Sequence, residues 1–321
     1  MRSSPLARAA AVSLASLASL AALLLPACSS TATPAGSDGG VTPAGDAATP
    51  VDAAEPGPVG GERPVTVHVP PGYKPGVPAP LIVMLHGYGA SGLVEEIYLG
   101  LKAVADTRGF LYVNPDGKSD TNGKRFWNST YACCDFGKTG VDDTAYISGL
   151  IKEIQAQYSV DPKRIFLVGH SSGGFMSHRL ACARSEQIAA IVSLAGSMGS
   201  EPSQCAPTQP VSVLQIHGTK DNTIAYAGGD LGGGSPYPGA EAVVSAWAKL
   251  DGCGPTPDTS APPLDLDSQL AGPETKVTRY TGCKPGGAAE LWAIQDGSHI
   301  PSLSATFTTQ VVDFLFAHPK P

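Results

Sequence analysis

Gly169, Ser171 and Gly173 form a Gly-x-Ser-x-Gly pattern between an apolar run, 165–168, and a stretch with helical spacing, 174–184. The pattern is typical of a serine held on a sharp turn between a strand and a helix, where its hydroxyl can act as a nucleophile. Glycines on both sides remove Cβ atoms that would clash with neighbouring chain. We therefore predict that Ser171 attacks a carbonyl carbon. The alternative is a glycine-rich turn without chemistry, and the flanking strand and helix argue against it.

A serine nucleophile needs a general base and an acid that orients the base, and two strand ends supply candidates. Asp221 follows the apolar run 211–216, and His299 follows the run 291–294. The order along the chain is serine, aspartate, histidine, which is the order associated with a serine turn at the edge of an α/β sheet. We predict that His299 takes the serine proton and that Asp221 orients the imidazole. For Asp221 the alternative is an aspartate that caps a turn.

Other histidines and aspartates fit these roles less well because of their settings. Six further histidines lie in a strand, a helix, strand-end turns, the serine turn or the C-terminal segment: His68, His86, His170, His178, His217 and His318. Three acidic residues that follow the serine lack a buried strand before them: Asp230, Asp251 and Asp258. The choice of Asp221 and His299 therefore depends on their positions directly after strands.

Backbone amides near the serine are the natural donors for the charge that develops on an ester oxygen. The loop 86–92 follows the apolar run 81–85 and is rich in glycine, and Ser172 is the first residue of the predicted helix. Tetrahedral charge is stabilised by two convergent N–H groups. We predict that Tyr88 N–H and Ser172 N–H form the oxyanion hole. A glycine turn with a structural His86 is the alternative.

Strands and helices alternate along the part of the chain that must position these residues. Continuously apolar runs predict strands at 65–69, 81–85, 110–113, 165–168, 188–194, 211–216, 277–280 and 291–294. Helical periodicity predicts helices at 94–107, 143–158, 174–184, 240–250 and 304–317. This alternation indicates an α/β fold with a mostly parallel sheet and helices on both faces. No large lid insertion is apparent, so we expect an open site at the carboxyl ends of the strands.

The N-terminal residues do not belong to this fold. Residues 1–27 combine two arginines with an alanine- and leucine-rich run, which predicts a signal peptide. Its end resembles a lipobox and predicts lipidation of Cys28, with simple secretion as the alternative. Residues 28–62 are rich in Ala, Pro, Gly and Thr, which predicts a disordered tether. Residues 63–321 are then the α/β catalytic domain.

The charge balance narrows the choice of partners. The formal net charge is −7, and no cluster of lysines or arginines occurs. Nucleic acid and anionic lipid are therefore poor candidates, and we expect membrane association only through the lipid on Cys28. We expect a monomer that acts on an ester, requires no cofactor and binds no metal.

Several further motifs extend the likeness to known proteins beyond the serine turn: LHGYGASG at 85–92, FWNSTYACCDFGKTGVDDTAYI at 126–147, DPKRIFLVGHSSGGFMSHRLAC at 161–182, IHGTKDNTIAYAGG at 216–229, WAKLDGC at 247–253, RYTGC at 279–283 and LWAIQDGSHIP at 291–301. With these motifs the chain resembles α/β-hydrolase esterases of the polyhydroxybutyrate depolymerase, feruloyl esterase and acetyl xylan esterase group. The resemblance implies a serine esterase whose triad falls on Ser171, Asp221 and His299. One departure is Ile300, where many relatives have tryptophan, and it weakens any transfer of substrate preference.

The cysteines fit an exported domain. The resemblance implies a Cys253–Cys283 disulfide around a Pro/Gly/Asp-rich insertion. Four further cysteines allow three pairings, among them a vicinal bridge, and the sequence does not choose between them: Cys133, Cys134, Cys182 and Cys205. Metal binding is the alternative for the cysteines, and the absence of Cys-x-x-Cys spacing argues against it.

Two tryptophans are candidates for contact with the substrate. Trp127 and Trp292 offer flat apolar faces to an aromatic acyl group, a sugar or a polyester, with core packing as the alternative. The favoured function is hydrolysis of polymeric or bulky carboxylic esters through an acyl-enzyme on Ser171. A serine peptidase of the same fold is one alternative, and a non-catalytic polymer-binding protein on a hydrolase scaffold is the other. The identity of the ester is left open.

Overall fold

The structure is a computed structural model, and it describes residues 56–201, 205–232 and 234–321. The predicted signal peptide, the lipidation of Cys28 and most of the predicted tether lie outside these residues. The part of the chain that the structure describes contains no helix long and apolar enough to cross a membrane.

The described residues form one large sheet, two short two-stranded sheets and flanking helices. The strands are β1 Ala79–Leu85, β2 Leu111–Val113, β3 Lys118–Ser119, β4 Arg125–Phe126, β5 Val160–His170, β6 Ala190–Leu194, β7 Ser212–Gly218, β8 Gly228–Asp230, β9 Pro236–Pro238, β10 Thr275–Tyr280 and β11 Ala289–Ile294. The helices are α1 Gly92–Leu99, α2 Leu101–Arg108, α3 Asp143–Gln157, α4 Ser172–Ala183, α5 Ala240–Leu250 and α6 Phe307–Ala317.

The large sheet has seven strands in the order β10-β11-β7-β6-β5-β1-β2. All neighbouring pairs are parallel except β10 and β11, which are antiparallel at one edge. β5, which leads to Ser171, lies between β1 and β6 near the middle of the sheet. The mostly parallel sheet predicted from the apolar runs is therefore confirmed, and parallel strands bring the candidate site residues to one edge.

Helices cover both faces of this sheet, so its strands are apolar on both sides. Successive residues of β1 point to opposite faces: Leu81, Val83 and Leu85 pack in one core cluster, and Ile82 and Met84 pack in the other. The first cluster includes buried side chains of α3, α4 and α5, and the second includes those of α2 and α6. A continuous apolar run such as APLIVML is what such a two-faced burial requires.

Two predicted elements differ from the observed ones. Residues 65–69 make only isolated bridges, between Val65 and Val59 and between His68 and Tyr112, and do not form a strand of the sheet. Prolines on both sides of this run lack the N–H that a ladder needs. The helix predicted at 94–107 is two helices, α1 and α2, because Gly100 adopts a left-handed conformation with φ 65°. Its amide closes α1 by donating to the Glu96 carbonyl.

The packed body begins earlier than the predicted boundary at residue 63. Val59 is 1% exposed and joins the core cluster that contains α3. The Gly60 amide donates to the Glu153 carboxylate on α3 at 2.7 Å. The composition of 59–62 is poor in apolar residues and therefore predicts tether. The correction has a simple cause: one buried valine and two backbone hydrogen bonds between Val59 and Val65 are enough to anchor this segment.

Candidate active site

The predicted nucleophile lies on a tight turn between β5 and α4. Ser171 has φ 54° and ψ −117°, a conformation that L-residues rarely adopt. The turn is possible because Gly169 and Gly173 lack side chains. A Cβ on Gly169 would overlap the Gly173 carbonyl, and a Cβ on Gly173 would overlap the Leu85 carbonyl of β1. The local sequence therefore determines this conformation, which presents the hydroxyl at the carboxyl edge of the sheet.

The structure brings the three predicted triad residues together. Ser171 Oγ lies 3.0 Å from His299 Nε2, and His299 Nδ1 lies 2.7 Å from Asp221 Oδ2. An ionised carboxylate only accepts hydrogen bonds, so the proton is on Nδ1 and Nε2 is free to accept from the serine. Residues separated by 128 and 78 positions thus form one line of hydrogen bonds. This geometry is that of a base placed to take the serine proton.

The Asp221 carboxylate is buried and well supplied with donors. Its Oδ1 accepts from the amides of Thr223 and Ile224 at 2.8 and 2.9 Å. Its Oδ2 lies 3.2 Å from His217 Nε2 in addition to its contact with His299. Burial opposes ionisation, but the hydrogen bonds from His217, His299 and the backbone outweigh it and hold the pKa of Asp221 well below its usual range. The side chain is therefore ionised at neutral pH.

Two amides near Ser171 suit the predicted oxyanion hole. Ser172 is the first residue of α4, so its N–H has no acceptor within the helix. In the loop after β1, the amides of Gly87 and Gly89 donate to the Glu95 carboxylate and the Arg125 carbonyl. Within the described parts of the chain, the Tyr88 amide between them donates to no protein group. Both predicted donors are thus available to a ligand.

Neither tryptophan presents a face to the site, which corrects the expectation that they bind substrate. Trp127 is fully buried, and its Nε1 donates to the His86 carbonyl at 3.0 Å. Trp292 is 4% exposed, packs in the core against Phe314, and its Nε1 donates to Glu290. Core packing, the alternative role, is the observed one. Trp127 affects the site only indirectly, because its hydrogen bond to His86 holds the start of the loop that contains Tyr88.

A buried ion pair lies on the other side of the serine turn. His170 Nδ1 lies 3.1 Å from Glu95 Oε1 on α1, and His170 Nε2 lies 3.2 Å from the backbone oxygen of His299. Because both ring nitrogens face oxygens that only accept, both carry protons and the ring is a cation. Burial opposes this charge, but the Glu95 carboxylate outweighs burial and raises the pKa of His170. Glu95 Oε2 also accepts from the Gly87 amide.

Sequence reasoning missed several residues that hold the site. His170 and Glu95 connect the loop containing Tyr88 to the backbone of His299, and His217 contacts Asp221 directly. In the sequence, His170 and His217 stand out only as competitors for the role of base. A signal was present: β7 reads SVLQIHG, and a glutamine and a histidine two residues apart are unusual on one face of a buried strand.

The described cysteines form three disulfides. Cys253–Cys283 confirms the pairing implied by the resemblance, and Cys182–Cys205 and the vicinal Cys133–Cys134 resolve the pairings that the sequence left open. Cys133 and Cys134 pack with Phe175 of α4 and with Ile224, three residues after Asp221. The vicinal pair therefore belongs to the wall between the serine turn and the aspartate loop. In the described residues no group of three or more potential ligands is arranged to hold a metal ion.

A comparison of the sequence with known families agrees with this fold and site. The profile of the phospholipase/carboxylesterase family matches residues 74–231, which include Ser171 and Asp221. Feruloyl esterase B of Piromyces equi is 31% identical over 244 residues, which are 74% of this chain and 42% of that protein. Poly(3-hydroxyalkanoate) depolymerase C of Paucimonas lemoignei is 30% identical over 182 residues, which are 56% of this chain and 42% of that protein. The chain thus spans less than half the length of these two relatives.

A solved structure supports the same fold. Acetyl xylan esterase from Aspergillus awamori superposes with a TM-score of 0.54 at 16% identity, covering 79% of this chain and 94% of that one. At this identity the likeness concerns the fold alone. The chain has an α/β-hydrolase fold and is similar in sequence to feruloyl esterases and poly(3-hydroxyalkanoate) depolymerases, which confirms the resemblance drawn from its motifs.

Proposed function

We propose that this protein hydrolyses carboxylic esters through a covalent acyl-enzyme on Ser171. The observation that supports this best is the continuous hydrogen-bonded line from Asp221 through His299 to Ser171. The names of the relatives, an esterase and a depolymerase of a polyester, point to the same bond type.

The reaction begins when Ser171 Oγ attacks the ester carbonyl carbon and its proton passes to His299 Nε2. The carbonyl electron pair moves onto oxygen, where the Tyr88 and Ser172 amides stabilise the charge. Collapse of this intermediate breaks the bond to the alcohol, which leaves with the proton from His299. Water then attacks the acyl carbon, His299 takes a proton from it, and the second collapse releases the acid and restores the Ser171 hydroxyl. Asp221 stays ionised and stabilises the imidazolium in both halves.

The test is hydrolysis of 4-nitrophenyl acetate, methyl ferulate and a poly(3-hydroxybutyrate) film by the wild type and by Ser171→Ala. We expect the substitution to lower kcat by at least about 10⁴-fold, because nothing replaces the attacking oxygen. Ser260→Ala is the matched control, since it removes an exposed hydroxyl in the segment before β10, outside the site, and it should retain full activity. A Ser171→Ala enzyme as active as the wild type would refute the nucleophile assignment.

The same assay separates the two alternatives. A peptide 4-nitroanilide as a fourth substrate detects a serine peptidase, which would cleave its amide bond, whereas a carboxylesterase would leave it intact. A wild type that binds the polymer film but turns over none of the four substrates would instead be a polymer-binding protein on a hydrolase scaffold.

We propose further that the natural ester is polymeric or bulky, because exposed apolar side chains lie around the candidate site. They occur in the loop after β1, on α1, in the vicinal-disulfide loop and next to His299, and we call them the apolar rim: Tyr88, Leu93, Val94, Ile97, Phe136 and Ile300. Tyr88 and Phe136 are in edge contact with ring centroids 5.4 Å apart. Tyr98 of α1 donates to the Pro301 carbonyl, so α1 lies next to the Ile300 segment. An apolar surface beside the serine suits a water-insoluble polyester or an aromatic acyl group.

Charged substitutions in the rim test this substrate class. Leu93→Asp combined with Ile97→Asp should lower hydrolysis of the polyester film by about 10-fold or more, because two large side chains no longer bury area on the polymer. Hydrolysis of soluble 4-nitrophenyl acetate should change by less than about 2-fold, since neither side chain contacts the triad. Val77→Asp is the matched control: Val77 is 57% exposed and precedes β1, at the opposite end of the strand from the site. If hydrolysis of the film and of the soluble ester falls equally, the apolar rim does not bind the polymer.

We also propose that the protein is exported, acts as a monomer and is tethered through lipid on Cys28. The proposal depends on the predicted signal peptide and lipobox. Cells grown with labelled palmitate should incorporate label into the wild type, and Cys28→Ser should be unlabelled and released into the medium. An unlabelled wild type found in the medium would favour simple secretion.

A further inference from the structure

A chain of buried polar side chains leads from α5 through the core to the Asp221 carboxylate. Trp247 Nε1 on α5 donates to His178 Nδ1 on α4 at 3.0 Å. His178 Nε2 lies 3.0 Å from Gln215 Oε1 on β7. Gln215 Nε2 lies 3.1 Å from His217 Nδ1, and His217 Nε2 lies 3.2 Å from Asp221 Oδ2. We call these four side chains before Asp221 the neutral chain.

Every hydrogen bond in the neutral chain has only one possible direction. The Trp247 indole can only donate, so His178 accepts at Nδ1 and carries its proton on Nε2. Gln215 therefore accepts at Oε1, and its NH2 group donates both to His217 Nδ1 and to the Gly196 carbonyl, 2.9 Å away. His217 in turn carries its proton on Nε2, donates to the Ile224 carbonyl 2.8 Å away, and lies with this nitrogen 3.2 Å from Asp221 Oδ2. The chain of donors therefore runs from Trp247 to the turn that contains Asp221, with one branch from Gln215 to the Gly196 carbonyl.

The protonation states agree with these directions. Burial lowers the pKa of His178 to about 4, although its hydrogen bond to Gln215 opposes the shift, so the ring is neutral at physiological pH. His217 is neutral on geometric grounds, because its Nδ1 faces the Gln215 NH2 group and has no room for a proton. The chain therefore carries no net charge of its own.

Burying these groups is costly, which makes their presence in the core informative. Trp247, His178 and Gln215 are fully buried and His217 is 1% exposed. Gln215 and His217 interrupt the apolar run of β7 on the face that packs against α4 and α5. Apolar residues of similar size would fill this space without the desolvation penalty of amide and imidazole groups. A role in positioning another group explains why polar residues stand here.

We propose that Gln215 and His217 are positioning residues for the triad acid. They hold a neutral N–H against the Ile224 carbonyl and against Asp221 Oδ2, the same oxygen that His299 contacts. This inference rests on the proposed function, since it concerns how Asp221 orients the base. The two imidazoles face Oδ2 and the Thr223 and Ile224 amides donate to Oδ1, so contacts at both oxygens hold the carboxylate in the plane that His299 needs. Because the second donor is neutral, Asp221 keeps its full negative charge for the imidazolium that forms during the reaction.

Substitution of His217 tests the proposal through activity. His217→Leu removes the donor, and we expect kcat on 4-nitrophenyl acetate to fall roughly 10- to 100-fold with little change in KM, because the acid and hence the base are displaced. His217→Gln keeps an acceptor towards Gln215 and an amide donor towards Asp221, so it should recover most of kcat. A folded His217→Leu enzyme with unchanged kcat would overturn the proposal, and so would a His217→Gln enzyme as impaired as His217→Leu.

A second measurement does not depend on the folding of a variant. Ring ¹⁵N chemical shifts of the wild type at pH 7.5 should show His217 as the neutral tautomer protonated on Nε2, with the same tautomer for His178. Gln215→Leu removes the donor to Nδ1 and serves to assign the His217 signal. A wild-type His217 protonated on Nδ1 would refute the hydrogen-bond directions assigned to the neutral chain.

The two proposals fail in different ways. If the wild type hydrolyses none of the esters but shows these tautomers, the proposed function is wrong, while the hydrogen-bond directions of the neutral chain are correct. If hydrolysis depends on Ser171 but His217 carries its proton on Nδ1, the esterase stands and the positioning role fails.

Discussion

Two buried polar groups support the candidate triad from opposite sides, and they differ in charge. The neutral chain ends on the Asp221 side chain, and each of its members donates in one fixed direction. The Glu95–His170 pair is charged, and it holds backbone instead: the His299 carbonyl through His170 and the Gly87 amide through Glu95. We call it the charged pair. The acid of the triad is thus held by neutral side chains, and the loops on either side of the serine are joined by an ion pair.

The difference predicts different responses to pH. Hydrogen bonds between neutral groups persist until a member gains a proton, which for His178 requires acid. The charged pair depends on both ionisations, so it weakens when Glu95 gains a proton or His170 loses one. We therefore expect Asp221 to stay in position over a wide pH range. The Glu95–His170 pair, which connects the loops, should weaken at alkaline pH.

The largest expected effect comes from leaving one charge of the charged pair unpaired. His170→Leu leaves the Glu95 carboxylate buried without its cation and should lower the free energy of unfolding by about 3 kcal/mol at pH 7, measured with urea. Glu95→Gln combined with His170→Leu should lose less, because no charge is left buried. Equal losses in the single and double variants would show that the pair is not held as ions.

A smaller effect should appear in the neutral chain under acid conditions. The pKa of His178 is lowered to about 4 from 6.5, so the unfolded chain binds a proton below pH 6.5 that the folded protein resists. Folding stability should therefore be lost as pH falls from 6.5 to 4, by about 2 kcal/mol from this group. His178→Gln keeps one donor and one acceptor but does not titrate, and its stability profile should be flatter by that amount. A variant whose pH dependence matches the wild type would contradict this account.

Two buried tryptophans allow a matched comparison. Trp247→Phe removes the donor that begins the neutral chain, leaves His178 Nδ1 unsatisfied, and should cost about 1–2 kcal/mol of stability with a few-fold loss of kcat. Trp292→Phe removes an indole of the same size whose N–H donates to Glu290, away from the triad, and should leave kcat unchanged. The comparison of kcat is the decisive readout. A loss of kcat in Trp292→Phe equal to that in Trp247→Phe would mean that the losses reflect core packing alone.

The smallest effect concerns the charged pair at alkaline pH. The raised pKa of His170 means that its contribution to stability is complete below pH 6.5 and is lost as pH rises through the folded-state value. From this group we expect the free energy of unfolding to fall as pH rises above 6.5. Glu95→Gln removes the carboxylate that raises the pKa, so the fall should disappear. If Glu95→Gln declines with pH as the wild type does, His170 is not the group responsible.

Much of the sheet and all three proposed triad positions could be predicted from local sequence. Ser171, Asp221 and His299 each follow a short apolar run, and parallel strands bring their carboxyl ends to one edge of the sheet. The glycines beside Ser171 are enough to indicate the sharp turn. The break between α1 and α2 at Gly100 and the bridges at 65–69 were harder to predict, since helical spacing continues across the glycine and the run itself is strand-like.

The roles of individual polar and aromatic side chains could not be predicted in this way. Trp127 and Trp292 have flat apolar side chains that could contact a substrate, yet both are buried in the core. The spacing of Gln215 and His217 in β7 marks them as unusual, but the sequence does not identify the partners of His217 or His170. These partners lie on other elements: Asp221 after β7 for one, Glu95 of α1 for the other. Only the packing of α1, α4 and α5 on the sheet brings these partners within hydrogen-bonding distance.

The sequence by itself determined which residue types stand at the carboxyl ends of the strands and the turn that exposes Ser171. These features depend on neighbours within a few positions, on apolar runs, glycines and the order of motifs. Tertiary structure alone decided which buried groups are charged and which way each hydrogen bond points. A histidine becomes a cation beside Glu95 and a neutral donor beside Gln215, because its protonation follows the acceptors and donors that other elements place around it.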